Sequence, residues 1–416
     1  MEPLDSNRRI PELDGLRGLA ILLVLVFHYF ASSNLLPRYV LAFARLSWSG
    51  VDLFFVLSGF LLGGILLDAR SSPEYFKTFY ARRAYRILPV YALTLIVFWL
   101  IMSLGNSSGN VAMRWLFSGA FPWYVYVSLT QNFAMTWHSS LGAAWLGPTW
   151  SLAVEEQFYL TLPLIIRYVS RRRLPWVLGS IIVAAPVCRV LLRLFYANWV
   201  VGSFVLMPCR ADSLMLGVAA ALFLKSEWGF AFLIRHKRCL YGVETLLFAG
   251  MIWMARKATS LLPETTVGQA IGGSPQLPEH SLRDLGNFWF AFRVSARTAI
   301  SSLNYTWIAL FYLGLLLIAL TQRESLLSRA LRVRWLMGMG IIAYGTYLFH
   351  QAILGLYYGL VRGRLPAIEN FPDLGLTLIA LLTTLALAKV SWDWFEKPLV
   401  KRAHKYRYPN KRQDSE

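Results

Sequence analysis

The chain has 416 residues, 56% of them hydrophobic and only 15% charged, against about 25% charged in an ordinary soluble domain. A mean hydropathy of +0.49 excludes a string of water-soluble domains, yet the formal charge is +19, from 41 Lys and Arg against 22 Asp and Glu. A chain this apolar and this basic is either a nucleic-acid binder around a large core or a multi-pass membrane protein whose cations gather on one side.

Apolar stretches of about 18 to 22 residues, each able to cross about 30 Å of hydrocarbon, recur near 16–34, 49–68, 87–104, 149–169, 174–196, 203–224, 240–256, 303–320, 335–358 and 373–395. The spacing predicts an all-α membrane protein, a bundle of about ten transmembrane helices. The first stretch carries Arg17 and His28 and is followed by further spans, which sets it apart from a signal peptide. Segment 112–135 is apolar but broken by Pro122 and reads as an interfacial or re-entrant piece. With both termini cytoplasmic, about two-thirds of the basic residues fall on the inner side, as the positive-inside rule requires. That distribution excludes a nucleic-acid partner and makes the lipid bilayer the first one. The organisation is then a cytoplasmic segment 1–15, a transmembrane domain 16–395 and a basic cytoplasmic tail 396–416. The long outer loop 257–301 ends in an amphipathic run (Leu285, Phe288, Trp289, Phe292 with Arg293 and Arg297), expected to lie on the outer surface. Cys188, Cys209 and Cys239 have neither CxxC nor metal-ligand spacing and are given no role.

Ionisable groups inside such spans are costly, and each is a functional candidate. Arg17 and His28 share one helix face, about 16 Å apart along the axis. Asp52 opens the second span from outside, ahead of Ser58. Adjacent Glu155 and Glu156 enter the fourth; they project about 100° apart, so one of them faces a cavity. Arg210 and Asp212 lie in the sixth span and His350 in the outer half of the ninth. Ion pairs within the bundle, Arg210 with Asp212 or with Glu155, account for one or two of these groups but poorly for the whole set. At the inner mouth Arg82, Arg83 and Arg86 precede the third span. Arg82 and Arg86 form an i, i+4 pair that with Arg17 would hold a polyphosphate; topology signal and lipid contact are the competing reading. Glu396 closes the last span and is expected to pair with one of these arginines. A phosphate-bearing ligand at the inner arginines would put its reacting centre near His28, where a neutral imidazole beside a carboxylate suits a general base taking a hydroxyl proton. No Gly-rich phosphate loop, metal-ligand cluster or GxSxG elbow competes.

The run Ile10–Ala20 ending in Phe27-His28 (an Arg-x10-His motif) resembles the opening signature of the acyltransferase 3 family of integral membrane acyltransferases. Gly50–Leu62, Arg82–Tyr91, Trp150–Tyr159, Arg210–Gly217, Tyr344–His350 and Phe395–Pro398 follow in family order, so the resemblance spans roughly residues 10 to 400. It implies a bundle of about ten helices that takes an acyl group, usually acetyl, from cytoplasmic acyl-CoA as co-substrate, with no tightly bound cofactor. The group passes to a hydroxyl on the far side, commonly on a cell-envelope or exported glycan. Carried onto this sequence, His28 is the catalytic base with Arg17 its motif partner, Glu155 the acidic residue of the fourth span, and Arg82, Arg83 and Arg86 serve the donor. Ala343 departs from the Ser frequent in the family before the Tyr. The chain ends soon after the tenth span, so the esterase-like domain fused to some members is expected to be absent. A glycan or lipid transporter, with the same polar residues lining a pathway, is the alternative; it would favour inverted repeats and paired broken helices, and neither is evident.

Overall fold

The computed structural model describes residues 10–104, 111–196, 201–261 and 288–408, with no side-chain description for 104, 227, 257–261 and 288–301. These residues are helical, joined by turns and one isolated parallel bridge between Ser33 and Ile368. A helix satisfies its own backbone polar groups, which hydrocarbon demands of any spanning segment.

Among the described residues, ten helices of 18 or more residues order the molecule: α1 (Pro11–Phe30), α2 (Gly50–Asp68), α3 (Tyr75–Leu104), α4 (Thr149–Tyr168), α5 (Leu174–Phe195), α6 (Met207–Leu224), α7 (Lys237–Leu261), α8 (Phe288–Thr321), α9 (Ala343–Val361) and α10 (Phe371–Ser391). Among the described residues, seven helical segments are long and apolar enough to cross a bilayer, eight if a bent pair counts as one crossing; the chain is a multi-pass membrane protein. Helices α4 and α7 have the length but not the apolar composition, since α4 carries Glu155, Glu156 and Arg167 and α7 carries Glu244.

The ninth predicted crossing is not one helix. Arg334–Ile341 and α9 meet at 76°, with Ile342 between them at φ −92° and ψ 7°, outside helical backbone geometry. The first piece lies tight against α1: a Cβ on Gly18 would stand 1.9 Å from the Leu336 carbonyl oxygen. The bend then turns α9 into the bundle. Glycine sets the other close contact too. A Cβ on Gly59 would lie 1.9 Å from the Leu214 carbonyl oxygen, and one on Gly217 2.1 Å from that of Val56, so α2 and α6 touch backbone to backbone as small residues permit.

Segment 112–135 contains only short helices, Val111–Phe117, Trp123–Val127 and Gln131–Trp137, in keeping with a piece that does not cross. Of the outer loop, 262–287 lies outside the described residues. The expected surface helix is corrected: from Phe288 the backbone runs as one 34-residue helix into the following span, because no helix breaker interrupts Phe288–Thr321.

Candidate active site

Six helices, the Arg334–Ile341 piece among them through Gly340, enclose a cavity of about 180 Å³. α1 brings Arg17, α2 brings Ser58, α3 brings Arg83 and Arg86, α4 brings Ser151, Glu155 and Tyr159, and α9 brings Ala343, Tyr344 and Tyr347. Arg17 is tied to Asp14, one turn earlier, at 3.1 Å. Arg83 and Arg86 make no ion pair among the described residues. Glu155 is held by hydroxyls: Ser58 donates to its Oε1 at 2.6 Å and Tyr159 to its Oε2 at 3.3 Å. Three guanidinium groups against Glu155 and the Asp14 partner of Arg17 leave the cavity with a net positive charge. Only one of the adjacent pair Glu155 and Glu156 faces it, as their projection requires, and that one is Glu155.

Tyr347 adjoins two regions. Its hydroxyl donates to the Pro148 carbonyl at 3.0 Å and shares a 2.7 Å hydrogen bond with Ser151. Its ring lines the cavity and also stands 5.7 Å from the ring of His350. Beyond it the His350 and His28 rings meet edge to face at 4.5 Å. Each imidazole is anchored by Nδ1 to a backbone carbonyl of its own helix, His28 to Val24 at 2.9 Å and His350 to Tyr347 at 2.7 Å. A carbonyl only accepts, so Nδ1 carries hydrogen on both rings and the neutral form of each has its lone pair at Nε2.

The remaining candidates lie elsewhere. Arg82 does not line the cavity. Its Nε donates to the Tyr406 carbonyl at 2.9 Å and its guanidinium sits 5.3 Å from the Tyr408 ring centre. The cationic face of the cavity is therefore Arg83 with Arg86, at i, i+3, rather than Arg82 with Arg86; Arg82 projects about 100° away from Arg83, toward the C-terminal segment. The ion pairs are also reassigned. Arg210 pairs with Asp52 at 2.6 Å, not with Asp212 or Glu155. Asp212 pairs with Arg189 at 2.8 Å, since two residues apart on one helix project about 200° apart. Glu396 accepts from Ser391 at 2.9 Å rather than from an arginine, because a π-turn at Trp392–Glu396 folds it back on its own helix.

A family model described as an acyltransferase domain matches residues 10–392. The chain belongs to the acyltransferase 3 family. YrhL of Bacillus subtilis, provisionally named a peptidoglycan O-acetyltransferase, is 26% identical over 94% of this chain and 55% of its own length. The peptidoglycan O-acetyltransferase OatA of Listeria monocytogenes is 24% identical over 95% of this chain and 56% of its own. The O-acetyltransferase OatA of Staphylococcus aureus is 30% identical over 42% of this chain and 28% of its own. The chain thus spans about half the length of the first two relatives. No solved structure matches it.

Within this family member, sequence reasoning missed Tyr344, Tyr347, Ser151 and Tyr159 as cavity walls, and Arg189 as a buried cation. Tyr344, Tyr347 and His350 stand at spacings of three, one helical stripe, which was the available signal. Arg189 lies inside its apolar span, four residues before Arg193, and met the same criterion as Arg210.

Proposed function

We propose that the protein is a membrane O-acetyltransferase that passes an acetyl group from cytoplasmic acetyl-CoA to a hydroxyl of an extracytoplasmic cell-envelope glycan. The observation that carries this reading is the connection, through Tyr347, of a cationic cavity to the His28–His350 pair. The names of the relatives supply the acyl group and the acceptor class. In this reading the chain crosses the membrane ten times with both termini cytoplasmic. Helices α4 and α7 then complete the count, with Glu155 turned inward, where a polar group inside a span belongs.

Arg83, Arg86 and Arg17 take the phosphates of CoA, for which guanidinium geometry is suited, and the thioester arm enters past Ser58 and Glu155. His28, its Nδ1–H fixed by Val24, receives the acceptor hydroxyl proton at Nε2 as the oxygen attacks the thioester carbonyl. The new C–O bond forms and the C–S bond breaks. The CoA sulfur leaves as a thiolate and takes the proton from the imidazolium. Positioned general-base catalysis of this kind contributes typically about 10²–10⁴-fold.

The test is transfer from radiolabelled acetyl-CoA to a glycan by purified protein in detergent, without an ion gradient. Loss of transfer in His28→Ala protein of unchanged yield is expected; normal transfer there would refute the mechanism. Turnover that requires a gradient would favour the transporter.

A further inference from the structure

We propose that the aromatic box around Arg210 is the seat of the acceptor, and that it takes a neutral, polyhydroxylated sugar ring. The inference rests on the transferase reading for its catalytic meaning and on its own geometry for the seat.

Arg210 is wholly buried, and its guanidinium carbon lies 4.5 Å from the ring centre of Tyr305, 5.6 Å from Phe55, 5.8 Å from Phe204 and 5.9 Å from Trp150. Trp48 extends the wall, 5.5 Å from Tyr305 and 6.1 Å from Phe204. Inside this box hydrogen bonding is half used. Arg210 Nη2 and Ser213 Oγ both donate to Asp52 Oδ1, at 2.6 and 2.9 Å. Arg210 Nε and Nη1 and Asp52 Oδ2 have no hydrogen-bond partner among the described residues. Buried polar groups are ordinarily satisfied. Ring faces attract a guanidinium and so account for the two open donors, but they offer nothing to the open carboxylate oxygen.

The missing partner must therefore donate to Asp52 Oδ2, and one that also accepts can use the Arg210 donors that the rings only partly serve. An anion would meet Asp52 and a cation would meet Arg210, whereas the pair is neutral as a whole. Hydroxyls of a sugar accept from Arg210 and donate to Asp52 while the C–H face of the ring packs on the aromatics, the mixture of apolar walls and a few placed polar groups that ligand sites share. Trp48, Phe204 and Tyr305 are only half buried, so the box is not sealed. Its position fits as well. Phe55 both faces Arg210 and lines the cationic cavity. The first turn of α2 packs on α1 at Val24, where a Cβ on Gly50 would lie 3.3 Å from the amide nitrogen, and Val24 is the residue that anchors His28.

The probe is a β-1,4-linked N-acetylglucosamine tetramer, titrated into detergent-purified full-length protein carrying His28→Ala, so that binding is read without turnover. Trp48 and Trp150 report through intrinsic fluorescence. The expected result is a saturable change, weakened at least about tenfold in added Tyr305→Ala and Asp52→Asn variants, with acetyl-CoA affinity unchanged. Tyr305→Ala leaves the Asp52–Arg210 pair in place, and a melting temperature recorded for each variant separates lost binding from lost folding. Unaltered tetramer binding in both variants would overturn the seat, as would no binding to the parent up to about 10 mM. Binding at the box in a protein whose wild type transfers no acetyl would uphold the seat and defeat the enzymatic reading instead.

Discussion

Two wholly buried Arg–Asp pairs lie side by side in this bundle, and they are built differently. In the first, Arg189 donates to both oxygens of Asp212, at 3.1 and 2.8 Å, and to the carbonyls of Ser302 and Cys209 and the hydroxyl of Thr306. Thr306 and the Ser213 amide complete the carboxylate. In the second, Arg210 and Asp52 share one strong bond and leave two donors and an acceptor open. Tyr305 faces both guanidinium groups, at 5.4 and 4.5 Å, so burial alone does not explain the difference. A buried charge whose hydrogen bonds are all made locks α5, α6 and α8 together; one with bonds left over has chemistry to offer. The contrast recurs around the cavity, where Arg17 leans on Asp14 while Arg83 and Arg86 face it without an ion-pair partner among the described residues.

If made bonds mark scaffold and open bonds mark function, substitutions should sort into two kinds. The largest separation is expected from His28→Ala: acetyl transfer falls by about 10²–10⁴-fold, while the melting temperature in detergent stays that of the parent. Arg189→Met should do the reverse. Leaving Asp212 buried without its cation removes about 3–5 kcal/mol of stability, read as a lowered melting temperature and poor accumulation, with donor affinity normal in whatever folds. Arg86→Gln should raise the KM for acetyl-CoA by about 10- to 150-fold, as loss of a charge-assisted bond worth about 1.5–3 kcal/mol implies; the parent's own KM should rise with salt more steeply than the variant's. The finest test sets the pairs against each other. Asp52→Asn should destabilise by about 2 kcal/mol less than Asp212→Asn, because four rings still hold the stranded Arg210. Equal losses in urea or thermal unfolding would erase the distinction between the pairs.

Much of this was legible in order along the chain. The apolar stretches and the helices agree closely in position, since a bilayer imposes both length and composition on a spanning segment. His28 stands out as an ionisable group in hydrocarbon, and that one of the adjacent Glu155 and Glu156 faces the cavity follows from helical projection. What was not legible is who meets whom. Asp212 is the nearest carboxylate to Arg210 in sequence, yet helical geometry turns it away and α2 delivers Asp52 instead. Arg82 looked equivalent to Arg83 and Arg86 until Tyr406 and Tyr408 returned from the far end of the chain to cover it. The 76° bend at Ile342 also left no proline to announce it; it arises where Arg334–Ile341 packs backbone-close on α1 through Gly18 and α9 must turn to enter the bundle.

By itself, then, the sequence determined the class of molecule, the run of its helices and the residue types that do not belong in lipid, because those follow from the solvent each segment must inhabit. Only the tertiary structure decided which cations were already committed to a carboxylate and which were left open, because that depends on the angle at which one helix meets the next.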